Sequence, residues 1–341
     1  MRNKNLKPKK SKMTKLTLIV FLYALSLNSI LGQTYAEKLG YPKEAKVLIL
    51  HVDDVGMSYD SNMGAIKAMD EGVATSCSMM MPCGWIPGYF HYLKDHPATD
   101  AGLHLTLTSE WKDYRWGPLS GKNTTPGLVD DEGALWPSVK ATATHATASE
   151  VGLEIQAQLD RARAMGWQPT HIDSHMGTLF ATKEYLHKYV ELGIKNNIPV
   201  MFPGGHNSMI LQTEKEAGLT IEMTTAVGKQ LWEAGLPVLD DLHNISYGWD
   251  PNQDGISNKE LQAYKTKKYI ESIEKLKPGL TMVIMHCTWT TDIFPKISGS
   301  GTTRKGDMLA MMDPKFKAYL KSKNIILTTW REVKNRRDAV K

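Results

Sequence analysis

Short apolar runs alternate with amphipathic helical patterns along most of the chain, and this alternation constrains the fold more than any other feature. Seven apolar runs are predicted as strands: 45–54, 74–82, 100–108, 169–175, 199–203, 280–286 and 325–330. Six helical patterns lie between them: 62–72, 88–97, 148–166, 183–197, 265–279 and 314–324. Repeated strand and helix units build parallel sheets. Six or seven units in one continuous series predict a single-domain α/β fold, a distorted, TIM-like (β/α) barrel.

The amino terminus, residues 1–32, is predicted to be a signal peptide. A basic segment is followed by the apolar stretch "LTLIVFLYALSLNSILG" and the polar "QTYAEK", so cleavage is expected after Gly32. An uncleaved membrane anchor is the alternative, although Ser26, Asn28 and Ser29 interrupt an apolar run that is short for a bilayer. We therefore expect an exported protein, periplasmic or extracellular, with 33–341 as its mature domain and no stable membrane insertion after cleavage.

Two classes of partner find no support in the sequence. No G-x-G-x-x-G motif follows a predicted strand, so a dinucleotide site is disfavoured. The net charge of +5 arises in the amino terminus, which holds seven of the 41 Lys and Arg and none of the 36 Asp and Glu. The remainder is slightly acidic, so no nucleic-acid partner is expected. Nothing in the pattern indicates an oligomeric state.

Three cysteines are too few for a disulfide framework. Cys77, Cys83 and Cys287 leave one pair possible outside the cytoplasm. Cys77 and Cys83 flank the apolar "SMMMP", which favours buried free thiols.

Two stretches interrupt the repeated pattern, 109–148 and 240–258. Loops this long in a compact domain are usually functional or disordered. The first stretch carries four aromatic residues that suit either stacking on sugar rings or packing of the loop itself: Trp111, Tyr114, Trp116 and Trp136. The second contains "DPNQDGISNKEL", which resembles a calcium-binding loop, but Glu260 comes one residue too early. A capping box from Ser257 to Glu260 is the preferred interpretation.

Ionisable side chains stand at the carboxyl ends of four predicted strands. They are Asp53 with Asp54, His104, the group His171, Asp173 and His175, and His286. In parallel α/β folds these strand ends meet around one site. One histidine in such a position is usually a core residue, but four strands ending in this way indicate a functional site.

The adjacent carboxylates Asp53 and Asp54 point to a cation. Alternation along a strand sends them to opposite faces unless the backbone turns, and a turn at Val55 and Gly56 would bring both to one pocket. Two carboxylates so close repel each other unless a cation lies between them. One carboxylate and two histidines suit zinc, with magnesium or another divalent ion as an alternative. Metal-bound water would be the nucleophile, with the second carboxylate as its base.

Three motifs in order, "LHVDDVGMS", "DAGLHLTLTSEW" and "PTHIDSHMG", resemble the YdjC-like carbohydrate deacetylase family, which includes chitooligosaccharide deacetylases. The resemblance extends from about residue 45 to the carboxyl end through "PGLTMVIMH". It implies a metal-dependent hydrolase of an amide C–N bond that removes N-acetyl groups from an amino-sugar oligosaccharide.

The same resemblance assigns roles to individual residues. Asp54, His104 and His175 would bind the metal, Asp53 would be the general base and His286 the general acid. Asp173 shares a strand face with His175 and would orient it. The residues themselves decide for His171: its spacing of four from His175 would suit a ligand on a helix, but the preceding Pro169 and Thr170 and the strand alternation favour a structural role.

Trp111 and Arg304 are further candidates for supporting the site or binding substrate. For Arg304 and its neighbour Asp307, an ordinary surface salt bridge is the preferred interpretation.

Two departures from the family pattern leave the substrate and the acid open. "MGTLF" follows the "DSH" motif where relatives continue with histidines, and Cys287 and Thr288 follow the late histidine. The alternatives are a metal-dependent hydrolase of another ester or phosphoester bond and a non-catalytic carbohydrate-binding barrel.

Overall fold

A parallel sheet organises the part of the chain that the computed structural model describes, residues 32–213 and 220–340. Its strands over those residues are β1 (Lys46–Val55), β2 (Ser76–Met79), β3 (Ala101–Leu105), β4 (Ile172–Ser174), β5 (Asp241–His243), β6 (Gly279–Met285) and β7 (Ile326–Leu327). They are ordered β4-β3-β2-β1-β6-β5, and β7 pairs with the amino end of β1. Residues 1–31 of the predicted signal peptide lie outside the described residues, and its cleavage remains a prediction.

Helices connect most of these strands and lie outside the sheet. Those of the described residues are α1 (Tyr35–Lys38), α2 (Tyr59–Asp70), α3 (Ile86–Asp95), α4 (Val139–His145), α5 (Ala148–Ala164), α6 (Lys183–Asn196), α7 (Ile210–Thr213), α8 (Ile221–Glu233), α9 (Asn258–Glu274), α10 (Phe294–Ile297), α11 (Gly301–Met311), α12 (Pro314–Ser322) and α13 (Trp330–Ala339). Within the described ranges, no helix is both long enough and apolar enough to cross a bilayer.

The sheet curls into a distorted, TIM-like barrel within one domain, as predicted. Its two edge strands are linked by the segment 199–203, because Val200 bridges Ile172 of β4 and Pro203 bridges Leu239 just before β5. This segment was predicted as a full strand but makes only isolated bridges. Pro199 and Pro203 have no N–H to donate to a ladder, which keeps the pairing short.

Apolar side chains fill the amino half of the barrel interior. Val47 and Ile49 of β1 belong to this cluster together with Leu280 and Met282 of β6. They share the inward strand face with His51 and Asp53, which therefore stand above this apolar layer. Trp330 at the start of α13 is fully buried in the same cluster.

Two strands, β5 and β7, differ from the prediction, and in both cases a short polar segment is the reason. β5 was not predicted because Asp241–His243 opens the irregular stretch 240–258. β7 is shorter than the predicted run because Thr329 caps α13, accepting a hydrogen bond from the Glu332 amide.

The stretch 109–148 is packed against the barrel largely by its own aromatic side chains. Trp116 donates to the Thr108 carbonyl, Trp136 to that of Gly127, and the Tyr114 hydroxyl to that of Met57. Three of the four aromatics therefore pack the loop. Elsewhere, the predicted capping box of Ser257 and Glu260 is confirmed at the start of α9, and all three cysteines are buried and unpaired.

Candidate metal centre

The backbone kinks at Asp54, and this kink brings the two adjacent carboxylates to one site. Asp54 has φ 62, in the left-handed region that few non-glycine residues adopt, although aspartate is among those enriched there. The pairing of β1 with β2 shifts register between Val52 and Val55 at the same point. The predicted turn is therefore present, but it begins at Asp54 itself and continues through Gly56, whose φ is 86.

Asp54, His104 and His175 place three ligand atoms at the corners of a regular triangle. Asp54 Oδ1 lies 3.2 Å from His104 Nε2 and 3.2 Å from His175 Nδ1, and the two nitrogens are 3.2 Å apart. A tetrahedral zinc ion with bonds of about 2.0–2.1 Å separates its ligand atoms by about 3.3–3.4 Å. Asp54 Oδ1 is buried and has no hydrogen-bond partner. The three residues thus fit a divalent cation.

Carboxylates on the far side of both imidazoles fix their orientation. His104 Nδ1 donates to Asp173 Oδ1 at 2.7 Å, and His175 Nε2 donates to Glu110 Oε2 at 3.1 Å. Each ring therefore turns its other nitrogen toward Asp54. This carboxylate–histidine arrangement is the one that metal-binding histidines usually have.

The second oxygen of Asp54 is held by Arg304 of α11. Arg304 Nη1 donates to Asp54 Oδ2 at 2.7 Å, and both side chains are buried. The preferred interpretation of Arg304 as part of an ordinary surface salt bridge is therefore wrong. Arg304 directs one carboxylate oxygen away from the triangle and leaves Oδ1 facing the two imidazole nitrogens.

The charges around this cluster favour bound positive charge. Burial alone would raise the pKa of Asp54, but Arg304 and the two histidines hold it well below its usual range. Burial would lower the pKa of His175, yet Glu110 and Asp54 raise it to about 9. Both shifts show that the carboxylates of this cluster stabilise positive charge beside them.

Asp53 lies beside the triangle and is fixed through one of its oxygens. His51 Nε2 lies 3.0 Å from Asp53 Oδ1 and 3.0 Å from Asp173 Oδ2, and it hydrogen-bonds to the Ser78 hydroxyl at 3.0 Å. Ser78 also donates to Asp53 Oδ1, at 3.4 Å. The other oxygen, Oδ2, faces His104 Nε2 at 3.9 Å and His286 Nε2 at 4.0 Å.

His286 completes the group from the end of β6. Its Nε2 is 3.9 Å from Asp54 Oδ2, and its side chain keeps 18% of its surface exposed. Tyr247 packs edge-on against the ring, with centroids 4.9 Å apart. Burial lowers the pKa of His286 despite the nearby carboxylates, which favours the neutral ring.

A buried ion pair supports His286 from behind. Lys265 Nζ lies 2.9 Å from Asp307 Oδ1, and Asp307 Oδ2 accepts the His286 backbone N–H at 3.2 Å. Lys265 also donates to the Ser246 carbonyl at 2.9 Å. The pair therefore fixes the chain on both sides of the site mouth, at His286 and beside Tyr247. The surface salt bridge preferred for Asp307 is wrong as well, because Asp307 is fully buried.

His171 is buried, and its ring packs against other core residues. Its ring stacks on Trp330 with centroids 5.1 Å apart and an interplanar angle of 19°. It meets His51 edge-on at 4.9 Å and lies against Gly102, where a Cβ would clash with the ring. These contacts agree with the structural role assigned to it.

Exposed aromatic side chains surround the mouth of this site. Tyr59, Trp85, Tyr247 and Trp289 follow the carboxyl ends of β1, β2, β5 and β6, and each keeps more than 40% of its surface exposed. Trp111 is half-buried, with the Arg304 guanidinium 5.9 Å from its ring centre. Large exposed aromatic faces of this kind are typical of binding surfaces.

The structure brings all five principal site residues together, namely Asp53, Asp54, His104, His175 and His286. One contact differs from the prediction: Asp173 orients His104, and Glu110 orients His175. Glu110, His51 and Tyr247 were missed. Glu110 and Tyr247 lie in the irregular stretches 109–148 and 240–258, and this placement was the available signal, because long loops are often functional.

Comparison with known proteins gives the chain its family. The YdjC-like protein family model matches residues 47–322. A carbohydrate deacetylase of Thermus thermophilus is 27% identical over 289 residues, which cover 85% of this chain and 94% of that protein. A carbohydrate deacetylase of Thermoanaerobacter pseudethanolicus is 23% identical over 285 residues, or 84% of this chain and 98% of that protein.

Two further comparisons agree with this result. A chitooligosaccharide deacetylase of Yersinia enterocolitica is 34% identical over 134 residues, which cover 38% of this chain and 49% of that protein. A crystal structure from Enterococcus faecalis, provisionally described as a cellobiose-phosphate cleavage protein, shares the fold with a TM-score of 0.67 and 21% identity, covering 85% of this chain and 99% of that one. The resemblance carried by the three sequence motifs is confirmed, and the chain belongs to the YdjC-like protein family.

Proposed function

We propose that this protein is a metal-dependent carbohydrate deacetylase that hydrolyses the N-acetyl amide of an amino-sugar oligosaccharide. The single observation that carries the proposal is the 3.2 Å triangle of Asp54, His104 and His175 beside the carboxylate of Asp53. Two curated relatives that align with this chain over more than 90% of their length are named carbohydrate deacetylases, and these names support the same reaction class.

Asp54 Oδ1, His104 Nε2 and His175 Nδ1 would hold the divalent cation, with zinc favoured by the two imidazole ligands. When bound, such an ion polarises the amide carbonyl and lowers the pKa of water toward neutrality. Asp173, Glu110 and Arg304 keep the three ligands in place, each through one hydrogen bond to a ligand side chain.

Asp53 is proposed as the general base. His51 and Ser78 hold its Oδ1, so Oδ2 points to the open side of the cluster and can accept a proton from the attacking water. The water oxygen forms a bond to the carbonyl carbon as that proton leaves.

His286 is proposed as the group that protonates the departing nitrogen. Its Nε2 lies 4.0 Å from Asp53 Oδ2, so the proton taken by Asp53 can pass to His286 and on to nitrogen as the C–N bond breaks. The lowered pKa of the imidazole suits this relay, because the ring must accept a proton before it donates one. The products are acetate and a protonated amine.

A glycan substrate is supported by the exposed aromatic rim. Tyr247 and Trp111 flank the Arg304 guanidinium at the site, and Tyr59, Trp85 and Trp289 extend the rim around the barrel mouth. Flat apolar ring faces stack on sugar rings, and the polar edges of tyrosine and tryptophan can bond to hydroxyls. We also propose that the substrate is met outside the cytoplasm, on the basis of the amino-terminal sequence pattern; sequencing the amino terminus of the exported protein tests this.

The test is an acetate-release assay on N-acetylglucosamine oligomers and other acetylated glycans. Each substrate is assayed with the protein as purified, after chelator treatment, and after re-addition of zinc or magnesium. We expect acetate release that the chelator abolishes and a divalent ion restores. Phosphate release from phosphoesters without acetate release, or sugar binding with no cleavage by metal-replete protein, would instead support the two alternative functions.

A further inference from the structure

A cavity of about 450 Å³ is lined by residues of β4, β5 and β6, namely Ser174, Leu242 and Ile284, and of the segments next to these strands. Ser174 and Met176, which flank His175 in the chain, form part of its wall. Ile284 of β6 forms another part and lies two residues before His286, on the same side of the strand. The cavity wall therefore includes chain neighbours of the metal-ligand candidate His175 and of the proposed acid His286.

The wall of this cavity is mainly apolar. Its hydrophobic residues are Met176, Phe180, Ala181, Met201, Phe202, Pro203, Ile210, Leu242 and Ile284. Ser174, Thr224 and Asn244 are its polar residues, and no charged side chain lines it among the described residues.

The two hydroxyl groups in the wall already have partners. Ser174 Oγ accepts from the Leu179 amide at 3.0 Å. Thr224 Oγ1 accepts from Asn207 at 2.7 Å and bonds to the Ile221 carbonyl at 3.1 Å. A sugar ring placed here would bury several hydroxyls with few partners, which is costly. The cavity chemistry suits an alkyl chain.

The scissile amide has two substituents, and the structure offers two different surfaces for them. The exposed aromatic rim suits the sugar, whereas the cavity suits the acyl chain. An acetyl methyl group, about the size of one water molecule at ~30 Å³, would fill only a small part of it.

On this basis we propose that the cavity is an acyl-chain subsite and that the enzyme cleaves N-acyl amino sugars with chains longer than acetyl. This inference rests on the proposed amide hydrolysis and specifies the substrate of that site. The reaction is the same hydrolysis. Water adds to the carbonyl carbon, the C–N bond breaks, and the products are a longer carboxylate and the protonated amine. Burial of each added methylene is expected to raise kcat/KM by about fourfold until the cavity is filled.

The first test is a chain-length series on the wild-type protein. Chitobiose carrying N-acetyl, N-butyryl, N-hexanoyl or N-octanoyl groups is assayed by release of free amine, a readout common to all four. We expect kcat/KM for the hexanoyl substrate to exceed that for the acetyl substrate at least tenfold. A hexanoyl value equal to or below the acetyl value overturns the proposal.

The second test narrows the cavity. Leu242→Trp projects a large ring into it and should lower the ratio of hexanoyl to acetyl kcat/KM at least tenfold. Leu153→Trp is the matched control, because Leu153 lies exposed on α5, and it should keep the wild-type ratio. Leu242→Phe serves as a smaller change if thermal unfolding shows that the tryptophan variant is not folded. An unchanged ratio in a folded Leu242 variant overturns the proposal.

A binding measurement separates this inference from the proposed function. Chelator-treated protein is titrated calorimetrically with N-hexanoyl and N-acetyl chitobiose. If the wild type binds the hexanoyl compound more tightly than the acetyl compound and Leu242→Trp abolishes this difference, the subsite is supported even if no amide is cleaved. Acetate release with no preference in either rate or binding leaves the deacetylase function intact and overturns the subsite.

Discussion

Arg304 on α11 donates a 2.7 Å hydrogen bond to Asp54 on β1 across 250 residues of sequence, with both side chains buried. This contact determines which oxygen of Asp54 faces the two histidines. It also gives this buried carboxylate a permanently charged partner in addition to the two imidazoles.

Replacement of Arg304 by methionine should weaken metal binding. The variant leaves Asp54 free to rotate, so we expect the metal dissociation constant to rise about 10–100-fold. Breaking a buried ion pair should also cost about 3–5 kcal/mol of folding stability. Chelator competition and chemical unfolding measure the two effects. Arg304→Lys should recover part of both, and unchanged affinity in R304M would contradict the orienting role.

Asp53→Asn should abolish turnover and leave the metal bound. A positioned general base contributes about 10²–10⁴-fold to rate, and the amide cannot accept the proton. Asp54→Asn is the matched comparison, since it alters a proposed ligand and should lower metal content. Metal analysis of both purified variants, with rates of acetate release, distinguishes the two roles. A fully active D53N protein would remove Asp53 from the mechanism.

Glu110→Ala should weaken metal binding through His175. Without the carboxylate, the ring loses the partner that turns Nδ1 toward Asp54, and we expect affinity to fall about 10–100-fold. Glu110→Gln keeps an acceptor oxygen and should be milder. Glu132→Ala is the control, because Glu132 lies exposed in the same stretch and pairs only with Arg115 among the described ion pairs. Equal affinities of E110A and E132A would show that Glu110 does not support the site.

The metal-free protein should lose stability as pH rises. Burial opposes protonation of His51, but its hydrogen bonds to Asp173 and Asp53 raise its pKa from 6.5 to about 9. A raised folded-state pKa stabilises the folded protein fully below pH 6.5, and this stabilisation is lost as pH rises through about 9. The shift corresponds to free energy on the order of 3 kcal/mol.

Thermal unfolding of chelator-treated protein at pH 6.5 to 9.5 measures this effect. His175, whose pKa is also raised to about 9, acts in the same direction. His51→Gln should give a lower Tm at pH 6.5 and a shallower decline with pH. If the wild type and H51Q decline in parallel, His51 does not carry a charge in the folded protein.

Gly102→Ala should destabilise the fold. The added Cβ would overlap the His171 ring, which is confined between Trp330, His51 and Gly102 itself. Overpacking of this kind costs about 1–3 kcal/mol. Gly84→Ala is the control, since no atom lies within 4 Å of its added Cβ. Urea unfolding of the two variants gives the difference in their free energies of unfolding. Equal midpoints would show that the core rearranges to accommodate the added methyl group at Gly102.

The sequence predicted the barrel and the meeting of its strand ends because both follow from local patterns. Alternating strand and helix periods set the order of the elements, and parallel pairing brings Asp53, His104 and His286 to one end. The proposed substrate class, in contrast, rests on the names of curated family members and not on the strand and helix pattern.

The partners of the ligands could not be predicted in the same way. Asp173 was paired with His175 by strand alternation, but the strand ends at Ser174, and Met176 and Gly177 have φ of 52 and 64. Strand alternation therefore does not extend to His175, whose ring contacts Glu110 instead. Contacts such as Glu110 with His175 or Arg304 with Asp54 join distant segments and leave no periodic trace in the sequence.

The kink at Asp54 has a consequence for protein engineering. The paired acids work together only because one backbone step departs from regular extended geometry, so grafting the dipeptide onto a flat strand of another scaffold would send the two acids to opposite surfaces. A design that transplants this site would have to reproduce the backbone bend as well as the Asp-Asp sequence.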